Sequence, residues 1–175
     1  MKEILRHIAG YIFGVFVFIL LIPFGLIELS SIDCLVFDFL KLNNSILRII
    51  ILFPFFLIGI FFILWSNFYL CIIGKGGPAE GFNISISPKT KKLVTHGPYR
   101  YSRNPMVFGA FLLYISLSVF LNSIICLLSL LVFLYIVIKY LKLSEEKRLQ
   151  KDFGDEFTEY RNKVPMIIPY KFRIK

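Results

Sequence analysis

Residues 106–141 read MVFGAFLLYISLSVFLNSIICLLSLLVFLYIVIKYL, and this stretch decides the fold. It holds two apolar runs, 106–121 and 124–141, which are separated only by Asn122 and Ser123. So short a connection forces two consecutive helices to lie antiparallel. At about 1.5 Å per residue the first run reaches about 24 Å, which is shorter than the roughly 30 Å of a bilayer core. We predict a tight helical hairpin whose first helix either extends through interfacial residues or does not fully cross.

Two further apolar runs precede this hairpin, over residues 8–29 and 46–73. The whole chain of 175 residues is 57% hydrophobic, and its mean hydropathy is +0.75. A soluble domain is about 45–50% apolar, whereas runs of about 20 apolar residues are typical of membrane spans. We therefore predict an all-α polytopic membrane protein with about four transmembrane helices. Pro23 and Gly25 predict a kink near the outer end of the first helix.

The chain after the hairpin predicts an amphipathic tail helix over residues 145–160. Its apolar side chains follow helical spacing and form one stripe: Leu149, Phe153, Phe157 and Tyr160. Gly154 weakens such a helix by about 1 kcal/mol relative to alanine. We expect the stripe to lie on the membrane surface or against the loop over residues 74–105. The same helical geometry slightly favours Glu146 over Glu145 as the acid that faces inward.

These elements predict a single membrane domain over residues 1–175. Residues 8–73 form two N-terminal spans, and residues 74–169 form a core of loop, hairpin and tail. Basic residues concentrate in the N-terminal flank, in the loop over residues 74–105 and after residue 138. The positive-inside rule then predicts an integral protein of a bacterial-type inner membrane or its equivalent, with both termini in the cytoplasm. The orientation of the protein in the membrane explains its net charge of +9. We exclude nucleic acid as a binding partner, because no soluble module remains to hold a duplex.

Two polar clusters flank the hairpin, at ends that this orientation puts on one membrane face. The first offers cationic groups for a carboxylate or phosphate: Lys92, His96, Arg100 and Arg103. The second, Glu145 and Glu146, offers carboxylates for an amine, and Tyr99 and Tyr101 offer aromatic faces. A zwitterionic nucleoside such as S-adenosylmethionine needs all three kinds of group. The competing interpretation is that the arginines extend to lipid head groups and the glutamates are solvated. No metal site is predicted, because the three cysteines fit no metal-ligand spacing.

The order of motifs in this part of the chain favours a ligand site over the competing interpretation. Residues 92–106 read KLVTHGPYRYSRNPM, and paired glutamates follow at 145 and 146. Residues 153–160 then read FGDEFTEY, and residues 164–169 read VPMIIP. With a helical hairpin in its middle, this series resembles the membrane methyltransferases of the isoprenylcysteine carboxyl methyltransferase and phospholipid N-methyltransferase group. The resemblance covers residues 74–169.

The resemblance implies an S-adenosylmethionine-dependent methyltransferase that acts on a membrane-embedded or amphiphilic acceptor at the cytoplasmic face. It implies Arg103 and Asn104 as catalytic residues and a pairing of Glu145 with the α-amino group of the cofactor. The implied cofactor contacts are Lys92, Leu93, Val94, His96, Gly97, Tyr99, Asn104, Pro105, Met106, Val107 and Glu145. The implied substrate contacts are Arg100, Lys142 and Glu146.

The sequence departs from the isoprenylcysteine enzymes at two positions. Those enzymes have histidine where this chain has Asn104, and tyrosine where it has Val107. Asparagine cannot act as a base near neutral pH. An arginine expected near the end of the last span has no clear match, and Lys142 is the nearest cation. Four acceptors remain open: an isoprenylated cysteine, phosphatidylethanolamine, a quinone-like lipid and a small thiol.

Two other functions compete with methyl transfer. A membrane reductase of the sterol type would place a nicotinamide dinucleotide at a similar hairpin, but its pyrophosphate needs cations where this chain has paired glutamates. A non-catalytic four-helix membrane protein would tolerate loss of Arg103 and Glu145. In each of the three interpretations the chain contacts the lipid bilayer.

Overall fold

The computed structural model of the chain describes residues 2–33, 42–75, 80–81, 84–85 and 90–169. Residues 34–41 of the first loop and several residues of the long loop after residue 75 lie outside this part. The regular secondary structure of the described residues is helical apart from an antiparallel pair of two-residue strands, β1 (Glu80–Gly81) and β2 (Ile84–Ser85). The helical class predicted from the apolar runs is therefore confirmed for the described chain.

The first apolar run forms two α-helical segments joined by a π-helical one. Helix α1 (Lys2–Val15) leads into a π-helical segment (Phe16–Leu21), and α2 (Ile22–Ser30) follows. Pro23 lies in the first turn of α2. A proline ring clashes with the carbonyl group four residues before it, and a wide π-helical turn gives that carbonyl room. The irregularity predicted around Pro23 is thus a change of helix type that begins upstream of the proline.

The second apolar run forms α3 (Ser45–Tyr69), which a π-helical segment (Leu70–Gly74) extends. Asn44 caps α3, and its side-chain Oδ1 accepts hydrogen bonds from the amides of Ile46 at 3.0 Å and Leu47 at 3.2 Å. These bonds satisfy two of the amides that the first turn of a helix leaves free. The cap explains why the helix begins at this point of the loop.

The predicted hairpin consists of α4 (Pro105–Phe120) and α5 (Ile124–Tyr140). The turn uses Asn122 with a left-handed φ of 54°, and Ser123 caps α5 by accepting from the amide of Cys126 at 3.0 Å. Asp33, at the end of the first span, accepts the Ser123 hydroxyl and the Ile125 amide. A carboxylate at a helix N-terminus is favourable, so the residues after the first span anchor the turn end of the hairpin.

Helix α5 continues into the tail without a loop. A π-helical segment (Leu141–Glu145) connects it to α6 (Glu146–Lys163). Gly154 has φ 53° and ψ −125°, so it breaks α6, where the sequence predicted only a weakened helix. The Gln150 side chain bridges the break by donating to the Gly154 carbonyl at 3.0 Å and accepting from the Thr158 hydroxyl at 3.0 Å. Glycine permits the break, and two polar side chains hold its geometry.

Three helical stretches of the described chain are long and apolar enough to cross a membrane: Ile8–Ser30, Ser45–Gly74 and Ile124–Lys163. Helix α4 has 16 residues and is shorter than these three stretches. The predicted count of four spans is therefore not confirmed by helix length. The outward faces are apolar, with Ile46 70% and Leu64 65% exposed. Such a surface suits lipid and not water.

The closest helix contact is between α3 and α4. A Cβ added at Gly59 would lie 2.8 Å from the carbonyl oxygen of Gly109, and one added at Gly109 would lie 2.7 Å from that of Gly59. Small residues let two membrane helices approach to backbone contact. This contact fixes α4, and with it the polar segment that precedes α4.

Candidate functional site

The polar segment before α4 is tied to the C-terminal segment. The backbone amide of Arg103 donates to the Pro165 carbonyl at 2.9 Å, and that of Asn104 donates to the Met166 carbonyl at 3.1 Å. The side-chain Nδ2 of Asn104 donates to the same Met166 oxygen at 3.0 Å. Two motifs about 60 residues apart in the chain, RNP and VPMIIP, therefore form one backbone-paired unit.

The side chain of Arg103 reaches from this unit to the start of α6. Its Nη1 donates to Oε1 of Glu146, and the two side chains are only 13% and 15% exposed. This ion pair brings the two polar clusters predicted from the sequence to the same end of the hairpin. Within the described residues the buried Nε of Arg103 has no hydrogen-bond partner. A buried donor of this kind favours a ligand that brings an acceptor.

The neighbouring acid, Glu145, has different partners. It accepts from Arg148 at 2.8 Å, and Arg148 also lies 3.5 Å from Asp152. Glu145 lies close to Tyr99: burial is the main cause that raises the pKa of the Tyr99 hydroxyl, and the nearby Cys71 and Glu145 side chains raise it further. The two glutamates thus face different surroundings, Glu146 beside Arg103 and Glu145 beside Tyr99 and Arg148.

The long loop closes onto the ends of α3 and α6. The Lys91 amide donates to the Gly74 carbonyl at 2.8 Å. Gly97 has a φ of 62°, and a Cβ there would lie 2.6 Å from the Tyr69 ring, so glycine is required by both conformation and space. The Tyr160 hydroxyl donates to the Tyr99 carbonyl at 2.7 Å. The tail therefore holds the loop in place.

The predicted apolar stripe of the tail packs against this loop. Phe157 and Tyr160 are buried together with Val164, and Leu93 of the loop packs on them with Leu149 and Phe153. Of the two places expected for the stripe, the membrane surface or the long loop, this contact corresponds to the second.

The remaining predicted site residues differ in exposure. Lys92, His96, Arg100 and Lys142 are exposed, whereas Val94 and Pro105 are buried in the protein. Met106 and Val107 are half-buried, and Val107 packs against the core around Phe111 and Tyr114. The side chains of Val94, Pro105 and Val107 are therefore packed within the protein.

Two clefts border the Arg103–Glu146 pair, with Arg103 lining the first and Glu146 lining the second. The first has a volume of about 390 Å³, and its lining includes Arg103, Arg161 and the apolar side chains of Ile138, Met166, Ile167 and Ile168. The second has a volume of about 330 Å³ and is lined by Lys142, Glu146, Lys147, Gln150 and Arg161. Volumes of about 300–1,000 Å³ are typical of small-molecule sites. Arg161 lines both clefts.

Sequence reasoning missed three residues at this site: Tyr69, Arg161 and Met166. Tyr69 and Met166 act through packing and a backbone carbonyl, for which residue type gives no signal. Arg161 comes after the break at Gly154, so a continuous helix does not predict its direction. The glycine within the FGDEF stretch, taken as a helix break, was the one signal available.

The model of the phospholipid methyltransferase family matches residues 47–156, more than half of the chain. The chain belongs to this family. No curated protein and no solved structure matches the chain significantly. The matched residues include α3, the long loop, the hairpin and the start of α6, so the resemblance carried by the sequence motifs is confirmed at the level of the family.

Family membership implies a membrane methyltransferase, which agrees with three helical stretches long enough to span a bilayer. It also favours methyl transfer over the reductase and the non-catalytic membrane protein that the sequence left as alternatives. The match ends at residue 156, so Arg161 and the VPMIIP segment lie outside it.

Proposed function

We propose that the protein transfers a methyl group from S-adenosylmethionine to an amphiphilic acceptor at the cytoplasmic membrane face. The observation that carries the proposal is the ion pair between Arg103 and Glu146. Opposite charges from the two ends of the hairpin meet there beside two clefts of small-molecule size. A purely structural span has no need of such a site, because removing an ion pair from water carries a desolvation cost.

The donor set fits a zwitterionic nucleoside. Glu145 offers a carboxylate for an α-amino group, and it lies close to the half-buried Tyr99. Arg103 offers a guanidinium whose Nε has no partner among the described residues. Leu93 and Val94 belong to the same loop and give it apolar side chains for an adenine to pack on. We assign Glu145, Tyr99 and residues 92–94 to the cofactor, and Arg103 to the boundary between cofactor and acceptor.

Bound there, S-adenosylmethionine would supply a methyl group carried on a sulfonium. The sulfur is left as a neutral thioether when the methyl group is transferred, so the leaving group needs no proton from an acid. The protein then has to align the acceptor in line with that methyl group and keep water out. Arg103 is held for this task by Glu146 and by its backbone bond to Pro165. Asn104 is not a base, and its amide positions the C-terminal segment that walls the first cleft.

Calorimetric titration with S-adenosylmethionine tests the cofactor assignment. We expect Glu145→Gln to weaken the affinity about 10- to 100-fold, as for one charge-assisted hydrogen bond of about 1.5–3 kcal/mol. Glu156→Gln is the matched control, because Glu156 is an exposed acid of the following helix α6 and lines neither cleft. Thermal unfolding of each variant verifies that it is folded. Equal affinities of wild type and Glu145→Gln would refute the assignment, and no binding by wild type would refute the function.

A further inference from the structure

The first cleft combines an apolar wall with two arginines, and the proposed function assigns it no ligand. Ile138 of α5 and the C-terminal residues 164–168 supply the wall. Arg103 and Arg161 both line this cleft, although they are 58 residues apart in the chain. A cleft lined by apolar side chains and two arginines suits an amphiphile whose head is charged.

The charges around this place are unbalanced. Four cationic residues line the two clefts: Arg103, Arg161, Lys142 and Lys147. Among the described residues that line the two clefts, Glu146 is the one acid, and it already accepts from Arg103. Within residues 90–169 the exposed Arg161 forms no salt bridge. A charged ligand at this site would therefore bind most favourably if its charge were negative.

We propose that Arg161, together with Arg103, binds the head of the acceptor, and that the acceptor is an amphiphile with an anionic head. This inference rests on the proposed methyltransferase function. The guanidinium of Arg161 pairs with a carboxylate or phosphate, for which its planar set of donors is well suited. The apolar part of the ligand lies along Ile138, Met166 and Ile168.

The geometry assigns this role to Arg161 and not to Arg100, which the sequence favoured. Arg100 ends the 3₁₀ turn Gly97–Arg100 and lines neither cleft. Arg161 reaches the cleft because Gly154 breaks α6 and redirects its last turns. The position of Arg161 in the cleft therefore depends on the break at Gly154.

Competition binding on the full chain in phosphatidylcholine nanodiscs tests this proposal. Four ligands with one chain length, hexadecanoate, hexadecyl phosphate, hexadecanol and hexadecylamine, displace a fluorescent fatty acid. We expect at least one anionic ligand to bind about 10-fold or more tightly than the alcohol and the amine, as for a charge-assisted contact. The first two ligands distinguish a carboxylate head from a phosphate head. Equal binding of all four would overturn the proposal, and this comparison needs no variant.

Variants then locate the head group. Arg161→Gln should remove the preference for the anionic ligand, and Arg161→Lys should retain part of it. Lys163→Gln is the matched control, because it removes one positive charge from the same turn and does not line the cleft. A loss seen equally in Lys163→Gln would mean general attraction to a basic surface, and a loss confined to Arg100→Gln would move the site; either result overturns the assignment.

Binding of S-adenosylmethionine to the same samples separates the two proposals. Unchanged cofactor affinity with no head-group preference would overturn the acceptor subsite and leave the methyltransferase intact. A head-group preference without cofactor affinity would overturn the methyltransferase and leave an anionic-amphiphile site.

Discussion

The side-chain amide of Asn104 donates a hydrogen bond to the carbonyl oxygen of Met166 at 3.0 Å. That oxygen also accepts from the Asn104 backbone amide at 3.1 Å. One residue before the hairpin thereby holds the segment that walls the first cleft. An asparagine at this position makes sense as a positioning residue, because its amide donates where an imidazole or carboxyl group would titrate.

Asn104→Ala should lower the free energy of unfolding by about 1 kcal/mol, the usual net value of one hydrogen bond. The loss should appear in thermal unfolding in detergent and as faster hydrogen exchange over residues 164–168. Asn43→Ala, at an exposed position, is the control and should change neither. Unaltered exchange in Asn104→Ala would contradict the positioning role.

The Arg103–Glu146 pair should show energetic coupling. In a double-mutant cycle with Arg103→Gln and Glu146→Gln, we expect a coupling of about 1–2 kcal/mol, because both side chains are mostly buried. Lys163 and Glu159 form the control pair: they are 3.3 Å apart but 61% and 75% exposed, so their coupling should stay below about 0.5 kcal/mol. Similar couplings for the two pairs would show that the Arg103–Glu146 contact is no stronger than a surface pair.

Gly59→Ala should destabilise the protein by about 1–3 kcal/mol, because the added Cβ overpacks the contact between α3 and α4. Gly25→Ala makes the same change in α2, where nothing lies within 4 Å of the added Cβ, and it should be neutral or stabilising by up to about 1 kcal/mol. Unfolding of both variants in the same detergent gives the comparison. A tolerated Gly59→Ala would mean that the helices do not meet at this glycine.

Tyr160→Phe should cost about 1 kcal/mol of stability, since it removes the hydrogen bond from the Tyr160 hydroxyl to the Tyr99 carbonyl and leaves that carbonyl unsatisfied. Because this bond holds the loop that carries Tyr99, the affinity for S-adenosylmethionine should fall as well. Tyr101→Phe, at an exposed tyrosine of the same segment, should leave both quantities unchanged. An unaffected affinity in Tyr160→Phe would separate the tail from the cofactor site.

Local sequence patterns predicted most of the fold. The apolar runs predicted α3 with its π-helical extension, α4 and α5 to within about one residue, because a helix that faces lipid requires a continuous apolar sequence. The two-residue connection predicted the turn at Asn122 and Ser123. The order of the motifs predicted the family, which the family model supports independently over residues 47–156. Each of these features is readable within one segment of the chain.

By itself, then, the sequence determined that this chain is a helical membrane protein with a hairpin and two polar clusters at its ends. Only the tertiary structure decided which glutamate pairs with Arg103 and that Arg161 lines the same cleft as Arg103. It also decided that the Met166 carbonyl accepts the hydrogen bond from Asn104. The physical reason is helical phase. Each residue turns a helix by about 100°, so the π-helical segment Leu141–Glu145 and the break at Gly154 redirect every later side chain. Hydrophobic pattern does not record such shifts, and contacts between distant segments depend on them.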